Sequence, residues 1–293
     1  MHGCWMQTGS RRAAALADAL AATRGWVVKR ALLAGLLFGV AAPAFAGEEC
    51  LLVTELKVGR VAAKQGLCAT RHSPASTFKI PLSLMGFDAG ILKSPSDPVW
   101  STEPGLAEWN ETWIGPKTPE SWMRQSVVWY SQLLTRRLGA EKLKDYVHRF
   151  VYGNENLSGN PGKDDGLTNA WLSSSLQISP REQVDFLRKM LKGDLPVSLT
   201  AVDQTVTLLK LPERPAGWDL YGKTGSGYMP TSAGTLDRSR PFGWFVGWAE
   251  KDGQTFVFVR YLSQAFASNE SLGFVARRQT ITALEPILQA QDR

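Results

Sequence analysis

The strongest constraint on the fold of this chain is a β-hairpin pattern near its C-terminus. Two apolar runs, Phe242 to Lys251 and Gln254 to Leu262, flank Asp252-Gly253, a dipeptide typical of two-residue hairpin turns. A second pair of short runs, Cys50 to Leu56 and Gly59 to Gln65, predicts another hairpin. Strands near both ends of the chain favour one antiparallel sheet assembled from distant segments.

Helical patterns occupy the stretch between these hairpins and the C-terminal end. Ser179-Pro180-Arg181-Glu182 is a capping box with proline at the first helical position, and Gly193 marks the end of that helix. Thr118-Pro119 begins another helix, and residues 141–150 and 272–289 have helical spacing of apolar residues. We predict an α+β fold in which the sheet and a helical lobe enclose a cleft.

Ser76-Thr77-Phe78-Lys79 is a candidate catalytic motif. Residues three apart share one helix face, so Lys79 can take the Ser76 proton once burial makes its amine neutral. Taken alone, the motif also fits a serine at a helix start followed by a solvated lysine. No Gly-x-Ser-x-Gly elbow is present, which disfavours a Ser-His-Asp enzyme.

Charge and histidine content exclude other classes of function. Positions 1–46 hold five basic residues and one acidic residue, so the remaining 28 basic and 26 acidic residues give a net charge of +2. No basic run interleaved with aromatic residues occurs, and no nucleic-acid partner is predicted. The histidines, His2, His72 and His148, stand in no metal-ligand spacing, so no metal site is predicted.

Further motifs follow the first one in a fixed order. They are Ser126-Val127-Val128, Tyr152-Gly153-Asn154, Trp171-Leu172 and Lys223-Thr224-Gly225. From about Cys50 to the C-terminus, this order resembles the class D, oxacillinase-type serine β-lactamases. Class A enzymes have Ser-Asp-Asn in the middle position, where this chain has the apolar Val128. The resemblance implies the serine β-lactamase/penicillin-binding transpeptidase-like fold, which agrees with the α+β prediction.

The resemblance also implies how the site works. Ser76 would be the nucleophile, and carbon dioxide would carboxylate Lys79, whose carbamate is the general base for acylation and deacylation; no other cofactor is implied. Ser126 would relay protons, and the Trp171 N–H would hold the carbamate. Desolvation favours the neutral amine that carbon dioxide requires. The suitable apolar walls of this pocket are Phe78, Val128, Trp171 and Leu172.

The last motif is expected to lie on a strand that lines the cleft and pairs with substrate. By the family pattern, the backbone N–H groups of Ser76 and Ser226 form the oxyanion hole. Lys223, Thr224 and Gly225 would contact a β-lactam substrate. We favour Arg278 for its carboxylate, and Arg277 is the alternative if the alignment slips by one residue.

Residues 1–46 are predicted to be a leader. Residues 28–46 have the three parts of a signal peptide, namely the basic Lys29-Arg30, an apolar run over residues 31–42 and the cleavage-site pattern Ala44-Phe45-Ala46. Residues 1–27 fit no part of that signal. We expect export to the periplasm and a mature domain over residues 47–293 without a membrane span. The sequence gives no indication of oligomeric state.

Cysteine usage fits the same compartment. Cys4 leaves with the leader, whereas Cys50 and Cys68 bracket the first predicted hairpin. An oxidising periplasm favours a disulfide between them, and two free buried cysteines are the alternative.

Three functions remain open at this point. The first is a periplasmic β-lactamase that confers antibiotic resistance, and it is the one we favour. A penicillin-binding transpeptidase or carboxypeptidase would share the serine, lysine and Lys-Thr-Gly motifs. A β-lactam sensor would stay acylated, but sensors of this type carry membrane spans and a zinc-protease portion, neither of which follows Ala46.

Overall fold

An antiparallel sheet built from distant parts of the chain organises the protein. The computed structural model describes residues 47–106, 110–231 and 234–291, so the predicted leader and signal peptide lie outside the described residues. Within those ranges the strands are β1 (Glu49–Glu55), β2 (Val61–Gly66), β3 (Asp219–Pro230), β4 (Leu236–Lys251) and β5 (Gln254–Ser263). Their order in the sheet is β2-β1-β5-β4-β3, which leaves β3 at an edge.

Helices fill the sequence between β2 and β3 and return after β5. They are α1 (Lys79–Asp88), α2 (Pro119–Gln125), α3 (Val128–Leu138), α4 (Ala140–Arg149), α5 (Gly166–Asn169), α6 (Pro180–Lys192), α7 (Leu199–Leu209) and α8 (Leu272–Gln289). The α+β prediction is therefore confirmed. No helix in the described part of the chain combines the length and apolar character that crossing a bilayer requires.

Side-chain alternation divides the core between the two faces of the sheet. Leu52 and Trp244 belong to a large apolar cluster shared with the helical lobe. Leu51 and Phe245, one residue away on the same strands, belong to a smaller cluster shared with α8. Because successive strand residues point to opposite faces, β1, β4 and β5 are buried on both sides.

Both predicted hairpins are present. Lys251 pairs with Gln254 across the Asp252-Gly253 turn, whose two residues have φ of 49° and 75°. These are the positive values that a type I′ turn requires. β4 begins at Leu236, earlier than the predicted Phe242, because its first residues pair with the end of β3.

Local capping signals also begin and end the helices where predicted. Ser179 and Glu182 form the reciprocal capping box of α6, and Gly193 is its left-handed C-cap. Thr118 caps α2, which ends at Ser126 with φ of 59°. α6 contains no motif residue, whereas α2 ends at Ser126, which belongs to one.

Cys50 and Cys68 form a disulfide, as predicted. It joins the start of β1 to the segment that follows β2. Closing a loop of this length is expected to stabilise the folded state by about 3 kcal/mol, because it restricts the unfolded chain.

Candidate active site

The candidate nucleophile lies in a short 3₁₀ turn, Ala75–Phe78, that runs directly into α1 at Lys79. In a 3₁₀ turn residues three apart eclipse each other, and Lys79 Nζ lies 3.5 Å from Ser76 Oγ. Ala75 has φ of 47°, a left-handed value that non-glycine residues seldom adopt. Backbone strain therefore lies immediately before the candidate nucleophile.

Pro81 explains why this segment is irregular. It stands in the first turn of α1 and has no N–H to donate to the Thr77 carbonyl, so an α-helical hydrogen bond cannot form there. The segment before α1 is instead a 3₁₀ turn, with a hydrogen bond from the Thr77 N–H to the Pro74 carbonyl.

Lys79 is almost completely enclosed, with 1% of its surface exposed. This burial holds the pKa of its amine well below the ordinary value, and the charge of Lys223 lowers the pKa further. Desolvation disfavours the ammonium form because water no longer solvates the charge. Burial thus favours the neutral form of the amine that lies beside the Ser76 hydroxyl.

A second serine–lysine pair faces the cleft. Lys223 Nζ on β3 donates to Ser126 Oγ at 3.1 Å and to the Thr224 carbonyl at 3.0 Å. Burial lowers the pKa of Lys223 to about 7, and the nearby charge of Arg277 contributes. The left-handed backbone of Ser126 turns the chain between α2 and α3.

The edge strand β3 lies against the nucleophile turn at Gly225. A Cβ built there would stand 2.9 Å from the Pro74 carbonyl oxygen and 3.3 Å from the Ser76 nitrogen. Such close approach requires glycine. The last motif therefore lies on a strand beside the nucleophile turn, as predicted, and pairing of substrate with that strand stays a prediction.

Ser226, the predicted second oxyanion residue, follows directly on β3. Its side chain turns away from the nucleophile, because Oγ accepts a hydrogen bond from the Gly273 N–H at 3.0 Å. The same Oγ lies 2.7 Å from Ser271 Oγ. These contacts tie the start of α8 to β3 and leave an oxyanion role to the Ser226 backbone alone.

The predicted apolar pocket residues share one core cluster. Phe78 and Val128 are buried, Trp171 is 1% exposed, and Leu172 is partly buried against the cluster. The rings of Phe78 and Trp171 stack at 5.3 Å between centroids. The Trp171 indole N–H makes no hydrogen bond with a described residue and can donate to another acceptor.

The two candidate arginines differ in their surroundings. Arg278 is exposed and forms a two-bond ion pair with Glu270, at 2.7 and 3.0 Å. Arg277 is more buried, contacts Glu213 at 2.5 Å, and is the arginine whose charge acts on Lys223. The structure thus places the Arg277 charge near Lys223, whereas the Arg278 side chain lies on the exposed face of α8. Which of the two would bind the substrate carboxylate stays a prediction.

Buried polar contacts behind the site were missed at the sequence level. Thr77 Oγ1 donates to the Pro74 carbonyl at 2.7 Å and accepts from Gln183 Nε2 at 2.9 Å. Ser73 Oγ donates a hydrogen bond to the carbonyl of Trp171, in the stretch of residues 171–173 that we call the Trp171 segment. Single threonine, glutamine and serine residues carry no readable motif, so only their burial identifies them.

The remaining predicted motifs are structural. Gly153 turns the chain, while Asn154 donates to the Ser175 carbonyl and accepts from the Gln177 N–H. His72 stacks on Tyr261 at 3.9 Å, and burial lowers its pKa to about 4. It is therefore neutral at pH 7, and its 3.2 Å approach to Glu48 is not an ion pair. Among the described residues no cluster of metal-ligating side chains occurs.

Comparison with known proteins places this geometry in a family. The model of the penicillin-binding protein transpeptidase domain matches residues 47–280. The chain is 42% identical to β-lactamase OXA-9 of Klebsiella pneumoniae over 82% of this chain and 88% of that protein. It is 40% identical to β-lactamase OXA-1 of Escherichia coli over 85% and 88%.

A solved structure agrees. The crystal structure of the OXA-427 class D β-lactamase superposes with a TM-score of 0.78 at 45% identity, covering 83% of this chain and 99% of that one. The two serine–lysine pairs thus stand in a scaffold shared with class D enzymes over nearly the whole described chain. The chain belongs to the penicillin-binding transpeptidase family and, within it, to the class D β-lactamases.

Proposed function

We propose that this protein hydrolyses the amide bond of penicillin-type β-lactams through a covalent acyl-enzyme on Ser76, and so confers antibiotic resistance. The observation that carries the proposal is the 3.5 Å approach of Ser76 Oγ to the buried amine of Lys79. A serine hydroxyl needs such a base to become a nucleophile. The names of its relatives, which are β-lactamases, support the substrate class.

Acylation would proceed by attack of Ser76 Oγ on the carbonyl carbon of the ring. The hydroxyl proton leaves toward the Lys79 side, the C–N bond breaks, and the ring nitrogen takes up a proton through Ser126. A hydroxyl both donates and accepts, as this relay requires, and Lys223 holds Ser126 at 3.1 Å. The N–H groups of Ser76 and Ser226 would stabilise the developing oxyanion.

The family implies a carbamate on Lys79, formed from carbon dioxide. The residues present fit that group, because the amine is buried, its pKa is lowered, and the Trp171 N–H has no acceptor among the described residues. Once formed, the carbamate supplies an anionic general base for both acylation and deacylation. Phe78, Val128 and Leu172 would exclude bulk water, and Trp171 would donate to the anion.

Substrate recognition would fall to β3 and α8. Lys223 and Thr224 would meet the substrate carboxylate, with Arg277 in the place first assigned to Arg278. Gly225 leaves the strand edge open for pairing.

The cellular setting completes the proposal. Residues 28–46 would direct export to the periplasm, where a β-lactamase meets its substrates. The Cys50–Cys68 disulfide supports an oxidising compartment.

The test is turnover of a penicillin, an oxacillin and a carbapenem by purified residues 47–293, with and without bicarbonate. We expect repeated turnover of the penicillin, stimulation by bicarbonate after carbon dioxide is removed, and a transient acyl adduct on Ser76 by mass spectrometry. Ser76→Ala should show neither turnover nor adduct. A stable adduct with less than one turnover per hour would instead indicate a sensor or a transpeptidase.

A further inference from the structure

Ser73, three residues before the candidate nucleophile, joins two segments that are far apart in sequence. Its Oγ donates to the Trp171 carbonyl at 2.7 Å and accepts from the Ser173 N–H at 2.9 Å. All three residues are buried. One hydroxyl thus satisfies two backbone groups of the Trp171 segment.

The backbone of Ser73 extends the connection to the sheet. Its carbonyl accepts a hydrogen bond from Trp244 Nε1 on β4 at 2.9 Å. A single residue therefore connects the nucleophile segment, the Trp171 segment and strand β4 of the sheet.

The Trp171 segment has strain that needs such a connection. Ser173 adopts φ of 54°, and a Cβ added to Gly227 on β3 would stand 2.7 Å from Ser173 Oγ. A strained, closely packed residue persists only when surrounding contacts hold it. The hydrogen bond that Ser73 accepts from the Ser173 N–H is one of these contacts.

We propose that Ser73 is a positioning residue that holds Trp171 in the Lys79 cavity, the apolar pocket formed by Phe78, Val128, Trp171 and Leu172. Ser73 would thereby set how readily carbon dioxide carboxylates Lys79. This inference rests on the proposed function, since it concerns the same lysine. Ser73 acts through Trp171 and does not contact the substrate. Its hydroxyl keeps the indole ring stacked on Phe78 and the cavity closed to water.

Replacement by alanine shows why the effect is expected. Ser73→Ala removes the partner of the Trp171 carbonyl and of the Ser173 N–H, and buried backbone groups left unpaired draw in water or shift to find it. A wetter cavity favours the ammonium form of Lys79, which cannot react with carbon dioxide. Carboxylation should then need more bicarbonate.

The experiment is a titration of purified residues 47–293 with ¹³C-bicarbonate, followed by the ¹³C NMR signal of the lysine carbamate. We expect the half-saturating bicarbonate concentration to rise about tenfold or more in Ser73→Ala. The matched control is Ser83→Ala, which also deletes a buried hydroxyl, one that lies 2.9 Å from Thr205 Oγ1. Ser83→Ala should lower thermal stability but leave the half-saturating concentration within about twofold of wild type.

Two results would overturn the inference. One is an unchanged half-saturating concentration in Ser73→Ala, and the other is an equal rise in Ser83→Ala. If Ser73→Ala does not fold, Trp244→Phe removes the sheet side of the same connection, and a rise there of less than about twofold counts against the inference. A wild type without any carbamate signal would refute the carboxylation on which the inference depends, whereas a wild-type signal insensitive to Ser73 refutes only the role of Ser73.

Discussion

Two lysines face the same cleft, yet their surroundings differ. Lys79 and Lys223 are 1% and 5% exposed, and burial is the first cause of the lowered pKa of each. Lys223 donates to two oxygens, Ser126 Oγ and the Thr224 carbonyl, and its pKa falls to about 7. Lys79 has a single hydroxyl contact at 3.5 Å, and its pKa is well below the ordinary value.

The different surroundings of the two lysines suit them to different chemical roles, one as a cation that binds an anion and the other as a neutral amine. An amine with two oxygen acceptors still carries a proton for part of the time near pH 7, so Lys223 can hold an anionic substrate group. Burial of an amine without such acceptors favours its neutral form, which can react as a nucleophile or a base. Both lysines are buried, and the two oxygen acceptors of Lys223 are the contacts that Lys79 lacks.

The largest expected effect comes from removing the neutral amine. Lys79→Met should lower the deacylation rate constant about 10²- to 10⁴-fold, because no general base remains to activate water. The acyl-enzyme on Ser76 should accumulate, as measured by intact-protein mass spectrometry after mixing with a penicillin. Deacylation at the wild-type rate would show that Lys79 is not the general base, and the proposed difference in role between Lys79 and Lys223 would be wrong.

The charge on Lys223 predicts a pH dependence. Its pKa of about 7 means that the cation, which would bind the substrate carboxylate, dominates below that pH and is lost above it. The KM for a penicillin should therefore be flat below pH 7 and rise about tenfold between pH 7 and 8.5. Lys223→Arg keeps its charge throughout this range, so its KM should stay flat; a parallel rise in that variant would contradict the assignment.

The smallest effect distinguishes the two arginines on α8. Arg277→Ala should raise the KM for a penicillin roughly two- to tenfold, whereas Arg278→Ala should change it less than twofold because that side chain is exposed and its charge does not act on Lys223. Removing the Arg277 charge also removes its repulsion of the Lys223 cation. The pKa of Lys223 should therefore rise, and the increase in KM should begin at a higher pH. Equal effects of the two substitutions would show that the ion pairs do not separate their roles.

Much of the fold could be predicted because its signals are local. The Asp252-Gly253 turn, the Ser179 capping box and the Thr118 cap act over a few residues, so a single sequence reveals them. The start of β4 was misplaced because its first residues are held by pairing with β3 and not by their own apolar pattern.

The candidate site likewise contains residues that the sequence predicts and residues that only the structure identifies. Its motif residues were identified by order and spacing, and the disulfide by compartment and position. The sequence left Arg278 and Arg277 as alternatives, and the structure separates their surroundings because adjacent helix residues point in different directions and their ion-pair partners, Glu270 and Glu213, come from separate loops. Ser73 was missed because its partners lie 98 and 100 residues away.

By itself, the amino-acid sequence determined which elements form and which reactive side chains this protein carries, because caps, turns and motif spacing depend on near neighbours. Only the tertiary structure decided the state of those side chains. Whether a lysine is neutral or charged depends on how much water and how many oxygen acceptors remain around it, and distant segments supply both. The same packing places the Arg277 charge near Lys223 and brings Ser73 to the Trp171 segment.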